Sequence, residues 1–93
     1  MNPVDRFRID NYKDVLQEIE RIGRLEYLKD LEDKIIKEIV NLVEEGTEEA
    51  RVELARLGKM INDDLSFKPR NQLLISALKN SIAGALSAAK FCL

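Results

Sequence analysis

Residues 25–45, LEYLKDLEDKIIKEIVNLVEE, have the apolar spacing of one long amphipathic helix. Its apolar positions lie on one face, with a centre line of Leu28, Leu31, Ile35, Ile39 and Leu42 and flanks of Leu25, Ile36, Val40 and Val43. On the opposite face, Asp30 and Asp33 each precede a lysine by four residues, a pairing that stabilises a helix by about 0.3–0.5 kcal/mol. We therefore predict a helix over 25–45 at the centre of the fold.

A shorter helix is predicted over 11–22, where apolar residues share one side, namely Tyr12, Val15, Leu16, Ile19 and Ile22. After Ile22 the apolar residues recur every three positions, and each such step lags the stripe by about 60° on a helix of 3.6 residues per turn. We therefore place a break at Gly23, which suits the left-handed position after a helix. One continuous, kinked helix is the alternative. Residues 1–10 form an N-terminal arm in this scheme.

Two further helices are predicted after the long one. Gly46 and Thr47 are typical of a helix end followed by an N-cap, and a third helix over 48–64 carries a narrow apolar stripe of Ala50, Leu54, Leu57 and Ile61. A fourth helix is predicted over 69–92, starting at Pro69. A chain of 93 residues holds one core, so residues 1–93 form a single domain. The predicted fold class is all-α, a compact bundle of three to four helices.

The fourth predicted helix has more apolar circumference than one neighbour covers. Its large residues Ile75, Leu78, Ile82 and Leu86 form one ridge, and Ala77, Ser81, Gly84 and Ala88 form a second ridge about 150° away. Either this helix is central and touches the other three, or one ridge is an interface with another molecule. The narrow stripe of the third helix and the apolar chain end favour the interface. The predicted interface residues are Ala77, Ser81, Gly84, Ala85, Ala88, Phe91 and Leu93.

Charge is distributed unevenly along the chain, although the formal net charge is only −2. Residues 30–64 hold eleven acidic and five basic residues, whereas residues 65–93 hold four basic residues and no acid. This asymmetry favours a contact between the two regions, a contact between copies, or an acidic partner.

The residue types for catalysis and metal binding are scarce. The chain has no histidine and one cysteine, Cys92, and it contains no phosphate-binding loop or hydrolase motif. We therefore predict no catalytic residue, no metal and no cofactor. Glu32 is the exception to weigh, because it falls within the apolar arc of the long helix. It is either a buried carboxylate suited to acid–base work or an edge residue that reaches water beside Lys29 or Arg24.

Two short segments combine basic and aromatic residues and suggest nucleic acid as an alternative partner. They consist of Arg6, Phe7 and Arg8, and of Phe67, Lys68 and Arg70. Cations follow phosphates and an exposed ring stacks on an unpaired base, and unpaired N–H groups at a helix start near residue 70 favour an anion. The acidic pI of about 5.2 argues against this role. In the competing interpretation both rings plug the ends of the bundle.

These patterns predict a non-enzymatic helical interaction module. It forms a homo-oligomer, or docks as a small accessory subunit on a larger assembly, through the fourth helix. The alternative is an accessory protein of a nucleic-acid-processing or viral or mobile-element complex that contacts single strands. The lone cysteine indicates a reducing compartment, so we expect a cytoplasmic location, and no apolar run reaches the length of a membrane span.

Overall fold

The computed structural model describes residues 2–63 and 67–92, with the backbone alone for residues 90–92. Its four α-helices are α1 (Tyr12–Ile22), α2 (Glu26–Glu45), α3 (Glu48–Asn62) and α4 (Gln72–Cys92). Two short 3₁₀ turns, Pro3–Arg6 and Ile9–Asn11, precede α1. All regular secondary structure in the described ranges is helical, and the predicted all-α helical bundle is confirmed.

The break between α1 and α2 lies at Gly23. Its φ is +80°, and its N–H donates to the carbonyl of Ile19 at 2.9 Å. Only glycine adopts this left-handed backbone at no steric cost, so α1 ends there instead of continuing into α2 as one kinked helix. The helix begins at Tyr12, one residue after the predicted start, and α2 begins at Glu26, also one residue later.

The turn between α2 and α3 uses the residue types that the sequence placed there. Gly46 has a φ of +65°, and its N–H donates to the carbonyl of Leu42 at 3.2 Å. The hydroxyl of Thr47 then accepts the N–H of Ala50 at 3.1 Å and caps α3. The helix ends at Asn62, two residues before the predicted end, and residue 64 lies outside the described residues.

The start of α4 differs from the prediction by three residues. The first helical hydrogen bond runs from the N–H of Ile75 to the carbonyl of Asn71, so the helix begins at Gln72 and not at Pro69. The backbone N–H groups of Arg70 and Asn71 donate instead to the carboxylate of Glu20. This carboxylate holds residues 70 and 71 as a turn, and the helix starts after it.

The core lies around α2, which packs against α1, α3, α4 and the first 3₁₀ turn. Its most buried large apolar side chains come from all four helices and include Leu16, Ile19, Leu31, Ile35, Leu57, Ile61 and Ile82. The centre lines of the apolar faces predicted for α1, α2 and α3 are therefore buried, whereas the predicted face residues Ile22, Leu25 and Val40 are exposed. α4 packs mainly on α2 and also on α3.

The N-terminal segment is packed onto the bundle. Val4, Phe7 and Ile9 are buried in the core. The carbonyl of Val4 accepts a hydrogen bond from Lys34 Nζ at 3.0 Å, and the side-chain amide of Asn2 donates to Asp30 at 3.1 Å. Residues 2–11 thus form a strap across the helices, held by apolar contacts and by polar contacts with α2.

We expect Tyr12→Phe to raise the free energy of unfolding by about 1 kcal/mol. Tyr12 is 1% exposed, and its hydroxyl has no hydrogen-bond partner among the described residues. Burial raises the pKa of this phenol because the apolar surroundings disfavour the phenolate. Phenylalanine keeps the ring and removes the unpaired hydroxyl. Urea unfolding monitored by circular dichroism measures the change.

The matched control for this prediction is Tyr27→Phe. Tyr27 is partly exposed, so its hydroxyl reaches water, and the substitution should change stability by less than about 0.5 kcal/mol. A stability loss in Tyr12→Phe would contradict the prediction, because it would mean that the hydroxyl makes a favourable hydrogen bond.

Candidate interaction surface

The two ridges of α4 have different surroundings. Ile75, Leu78 and Ile82 are buried against the bundle. The small residues on the other ridge, Ala77, Ser81, Gly84 and Ala88, are all exposed. A Cβ built on Gly84 would meet no atom within 4 Å, so the backbone itself is open to solvent there. We call these four residues, together with Leu73 and Leu74, the outer face of α4.

Apolar side chains extend the outer face toward the start of α4. Leu73 is 87% exposed and Leu74 is 45% exposed. Ala85, which the sequence also assigned to the interface, is partly buried and packs against the core at the flank of this face. The side chain of Phe91, and Leu93 as a whole, lie outside the described residues, so their part in an interface stays a prediction.

The outer face carries no charge. Between Gln72 and Ala89 the only charged residue is Lys79, which lies five positions before Gly84 and thus about 140° around the helix. Lys79 is half-buried and lines a different groove, beside Phe67 and Pro69. The outer face is therefore apolar or neutral along about four turns, an unusual surface on a chain in which 34% of the residues are charged.

Sequence reasoning missed the carboxylate that positions α4. Glu20 is 7% exposed and is the only charged side chain buried within the described residues. Its two carboxylate oxygens accept the N–H groups of Arg70 and Asn71, each at 3.2 Å, and Arg70 Nη2 donates to the Glu20 carbonyl at 2.7 Å. This group fixes the first turn of α4 to the end of α1. The signal was present, because Glu20 lies four residues after Leu16 and so continues the apolar stripe of α1.

Glu32 is the edge residue, and not the buried carboxylate, of the two alternatives that the sequence leaves open. Its side chain is 24% exposed, and its carboxylate lies 3.7 Å from Lys29 Nζ. It is therefore an edge residue beside one of its two expected partners, within reach of water. Nothing in this placement assigns it a chemical role.

The residues predicted for nucleic-acid contact are divided among several surroundings. Phe7 is 8% exposed and lies in the core, and Phe67 is partly buried against it, so only the second ring keeps an accessible part. Lys68 and Arg70 line a shallow groove with Arg21, at the end of α1. Arg8 lies in a separate groove beside Asp10, Glu38 and Glu53.

Acidic partners already occupy part of this basic surface. The hydrogen bond from Arg21 lowers the pKa of Glu18. The positive charge of Arg6 also lowers this pKa. The N–H groups at residues 70 and 71, which the sequence left open for a phosphate, donate to Glu20. Contact with single-stranded nucleic acid stays a prediction, and the exposed cations Arg6, Arg8, Lys68 and Arg70 are what remains to support it.

The described part of the chain holds neither a cluster of metal-binding side chains nor a helix suited to span a membrane. Among residues with described side chains, no three or more histidine, cysteine, aspartate or glutamate side chains lie close enough to hold a metal ion. None of the helices combines the length and the apolar character needed to cross a membrane. The chain matches no protein-family model, and comparisons with curated proteins and with solved structures found no significant match.

Proposed function

We propose that this protein is a non-enzymatic helical interaction module that pairs with a second copy of itself through the outer face of α4. The observation that carries the proposal is the exposure of Ala77, Ser81, Gly84 and Ala88 in the folded chain. α2 and α3 pack on the opposite side of α4, and this face stays exposed among the residues that the structure describes. A contiguous uncharged face of this kind is typical of an interaction surface.

The spacing of the outer face suits a second helix. From Leu74 through Ala77, Ser81, Gly84 and Ala88 the steps are three, four, three and four residues. This alternation keeps the residues in one line toward a neighbouring helix packed at a shallow angle. Because the side chains are small, the axes of the two helices can approach to about 8 Å, at the short end of the range of interaxial distances for packed helices. The exposed backbone at Gly84 is the point of closest approach.

Electrostatics favour a second copy as the occupant. In a two-fold symmetric dimer the same surface meets itself, so any charge on the face would be placed near its own image. The outer face has none, and self-pairing therefore brings no like charges together. Burial of Leu73 and Leu74 would add the usual apolar stabilisation of about 25 cal/mol for each Å² removed from water. A helix on a larger assembly would meet the same surface.

We expect Gly84→Leu to weaken self-association at least about tenfold. The leucine side chain would project from the point where the two helices approach most closely and would separate them. The fold of the single chain should persist, since Gly84 is exposed and no atom lies within 4 Å of a Cβ there. Sedimentation velocity over a range of concentrations measures the effect, with wild type expected above the monomer mass of 10.7 kDa at micromolar concentration.

Ser76→Leu is the matched control, because Ser76 is exposed on α4 but lies on a different side of the helix. This variant should associate as wild type does. A wild-type chain that stays at 10.7 kDa at every accessible concentration contradicts pairing with a second copy. Equal association of Gly84→Leu and wild type would instead reject the outer face as the contact.

A further inference from the structure

A groove of about 390 Å³ separates α3 from α4, on a different side of α4 from the outer face. Its lining is mostly apolar and includes Leu54, Ile61 and Leu86. Ligand sites in proteins are typically concave, mainly apolar and about 300–1,000 Å³ in volume. The groove therefore has the size and lining of a site for a small ligand.

The groove is open because small residues line both of its walls. Ala55 and Gly58 lie on the α3 side, and Ala83 and Ala89 lie on the α4 side. A Cβ at Gly58 would lie 3.8 Å from Leu86 Cδ1, an ordinary contact, so packing within the chain does not require glycine. Glycine inside a helix nonetheless costs about 0.8–1 kcal/mol relative to alanine. The glycine keeps space in the groove that a methyl group would fill.

Two cations are the charged residues that line the groove within the described part of the chain. Arg51 and Lys59 line it, both are exposed, and neither forms an ion pair within the described residues. They are eight residues apart on α3, a distance of about 12 Å along the helix axis. The other polar lining residues, Asn62 and Ser87, can each donate a hydrogen bond. Among the residues that the structure describes, no carboxylate lines the groove, although the chain as a whole is acidic.

We propose that this groove binds an amphiphile with one anionic head group and an unbranched alkyl chain. The alkyl chain lies on the apolar floor formed by Leu54, Ile61 and Leu86. The head group pairs with Arg51 or Lys59 at the rim, where Asn62 and Ser87 add donors. A cationic head group would meet a like charge at either position, and a neutral one would form no ion pair.

The test is a titration of the isotopically labelled full-length chain with decanoate below its micelle concentration, followed by NMR. We expect saturable shifts of amide signals in residues 51–62 and 83–89. Decyltrimethylammonium, which has the same alkyl chain and a cationic head, is expected to give no saturable shift in these segments. Equal binding of both amphiphiles, no saturable binding of decanoate, or shifts centred on the outer face of α4 would each overturn the proposal.

Variants separate the head-group contact from the apolar contact. The double variant Arg51→Glu/Lys59→Glu should weaken decanoate binding at least about tenfold. Lys37→Glu is the control for the charge change on an exposed α2 residue and should leave binding within about twofold. Ala55→Leu, at an exposed lining position, should fill part of the groove and also weaken binding. Unchanged affinity in both groove variants would overturn the proposal.

A last variant distinguishes this proposal from self-association. Ala77→Leu changes the outer face and not the groove. It should alter the mass measured by sedimentation and leave decanoate binding unchanged. A negative result for self-association therefore does not contradict the ligand site, and a negative result for decanoate binding does not contradict the dimer.

Discussion

Glu20→Ala should lower the free energy of unfolding by about 2–3 kcal/mol. The substitution removes the acceptor for the N–H groups of Arg70 and Asn71, which are partly buried and have no other partner within the described residues. Hydrogen bonds to a charged group contribute about 1.5–3 kcal/mol each, and loss of a helix cap costs about 0.5–2 kcal/mol. The expected loss stays below the sum of these contributions because both N–H groups are only partly buried, so water can replace part of the lost acceptor.

Urea unfolding measures the loss, and Glu18→Ala is its matched control. Glu18 lies on the same helix and pairs with Arg21 at the surface, so its removal should cost much less stability than removal of Glu20. Glu20→Gln should fall between the two variants, since an amide keeps one acceptor oxygen and brings a donor toward the second N–H. Equal losses for Glu20→Ala and Glu18→Ala would reject the carboxylate as the group that fixes α4.

Glu20 bears on the proposed function because it positions the start of α4, which carries the outer face. It joins the end of α1 to the first turn of α4, and Leu73 and Leu74 of the outer face begin in that turn. In Glu20→Ala, amide hydrogen exchange at residues 72–75 should therefore speed up more than exchange at residues 82–85. This gradient separates a local loss of the cap from a uniform loss of stability.

Local sequence signals place six of the eight helix ends within one residue, because the groups that end a helix are close in sequence. Gly23 and Gly46 adopt left-handed conformations, and Thr47 caps α3 with its own hydroxyl. Each of these devices joins residues at most four apart. The predicted start of α4 is wrong by three residues because the group that sets it is distant in sequence. The carboxylate that holds residues 70 and 71 comes from Glu20, fifty residues earlier, and periodicity within one helix does not reveal which distant helix end approaches it.

Periodicity within one helix also does not show which carboxylate on an apolar face is covered, so the sequence points to Glu32 as a candidate buried carboxylate and not to Glu20. Both carboxylates fall within apolar faces in sequence, but burial depends on what covers that part of the helix. The loop before α4 covers Glu20, whereas Glu32 lies at an open edge beside Lys29. The uncovered side of α4 was easier to anticipate, since it follows from an excess of apolar circumference over the stripes available to cover it.

The alternation of charge and ring around Phe7 has a similar ambiguity. Arg6, Phe7 and Arg8 have the composition of a nucleic-acid contact, but they also belong to a strap in which Val4, Phe7 and Ile9 are buried and the arginines between them are exposed. Three consecutive residues do not distinguish these cases. The distinction requires the wider pattern of apolar residues in the strap and the surface of α1 and α2 beneath it.

Phe7→Ala should therefore lower the free energy of unfolding by about 3–4 kcal/mol, in the lower part of the range of about 3–5 kcal/mol for truncating a buried phenylalanine. A ring that served as a stacking platform for a base would be exposed, and its removal would cost well under 1 kcal/mol. Urea unfolding of the purified variant distinguishes the two cases without any nucleic acid in the sample. Phe67→Ala should lose less than Phe7→Ala, because Phe67 is only partly buried.

Arg8→Ala controls for disturbance of the strap itself and should change stability by less than about 0.5 kcal/mol, since Arg8 is exposed. If Phe7→Ala is as stable as Arg8→Ala, the strap does not pack on the bundle and the ring is free to meet a base. If the large loss is found, the first basic–aromatic segment is part of the core. A nucleic-acid contact would then have no stacking ring in the first segment, and in the second segment Glu20 already accepts the N–H groups of Arg70 and Asn71.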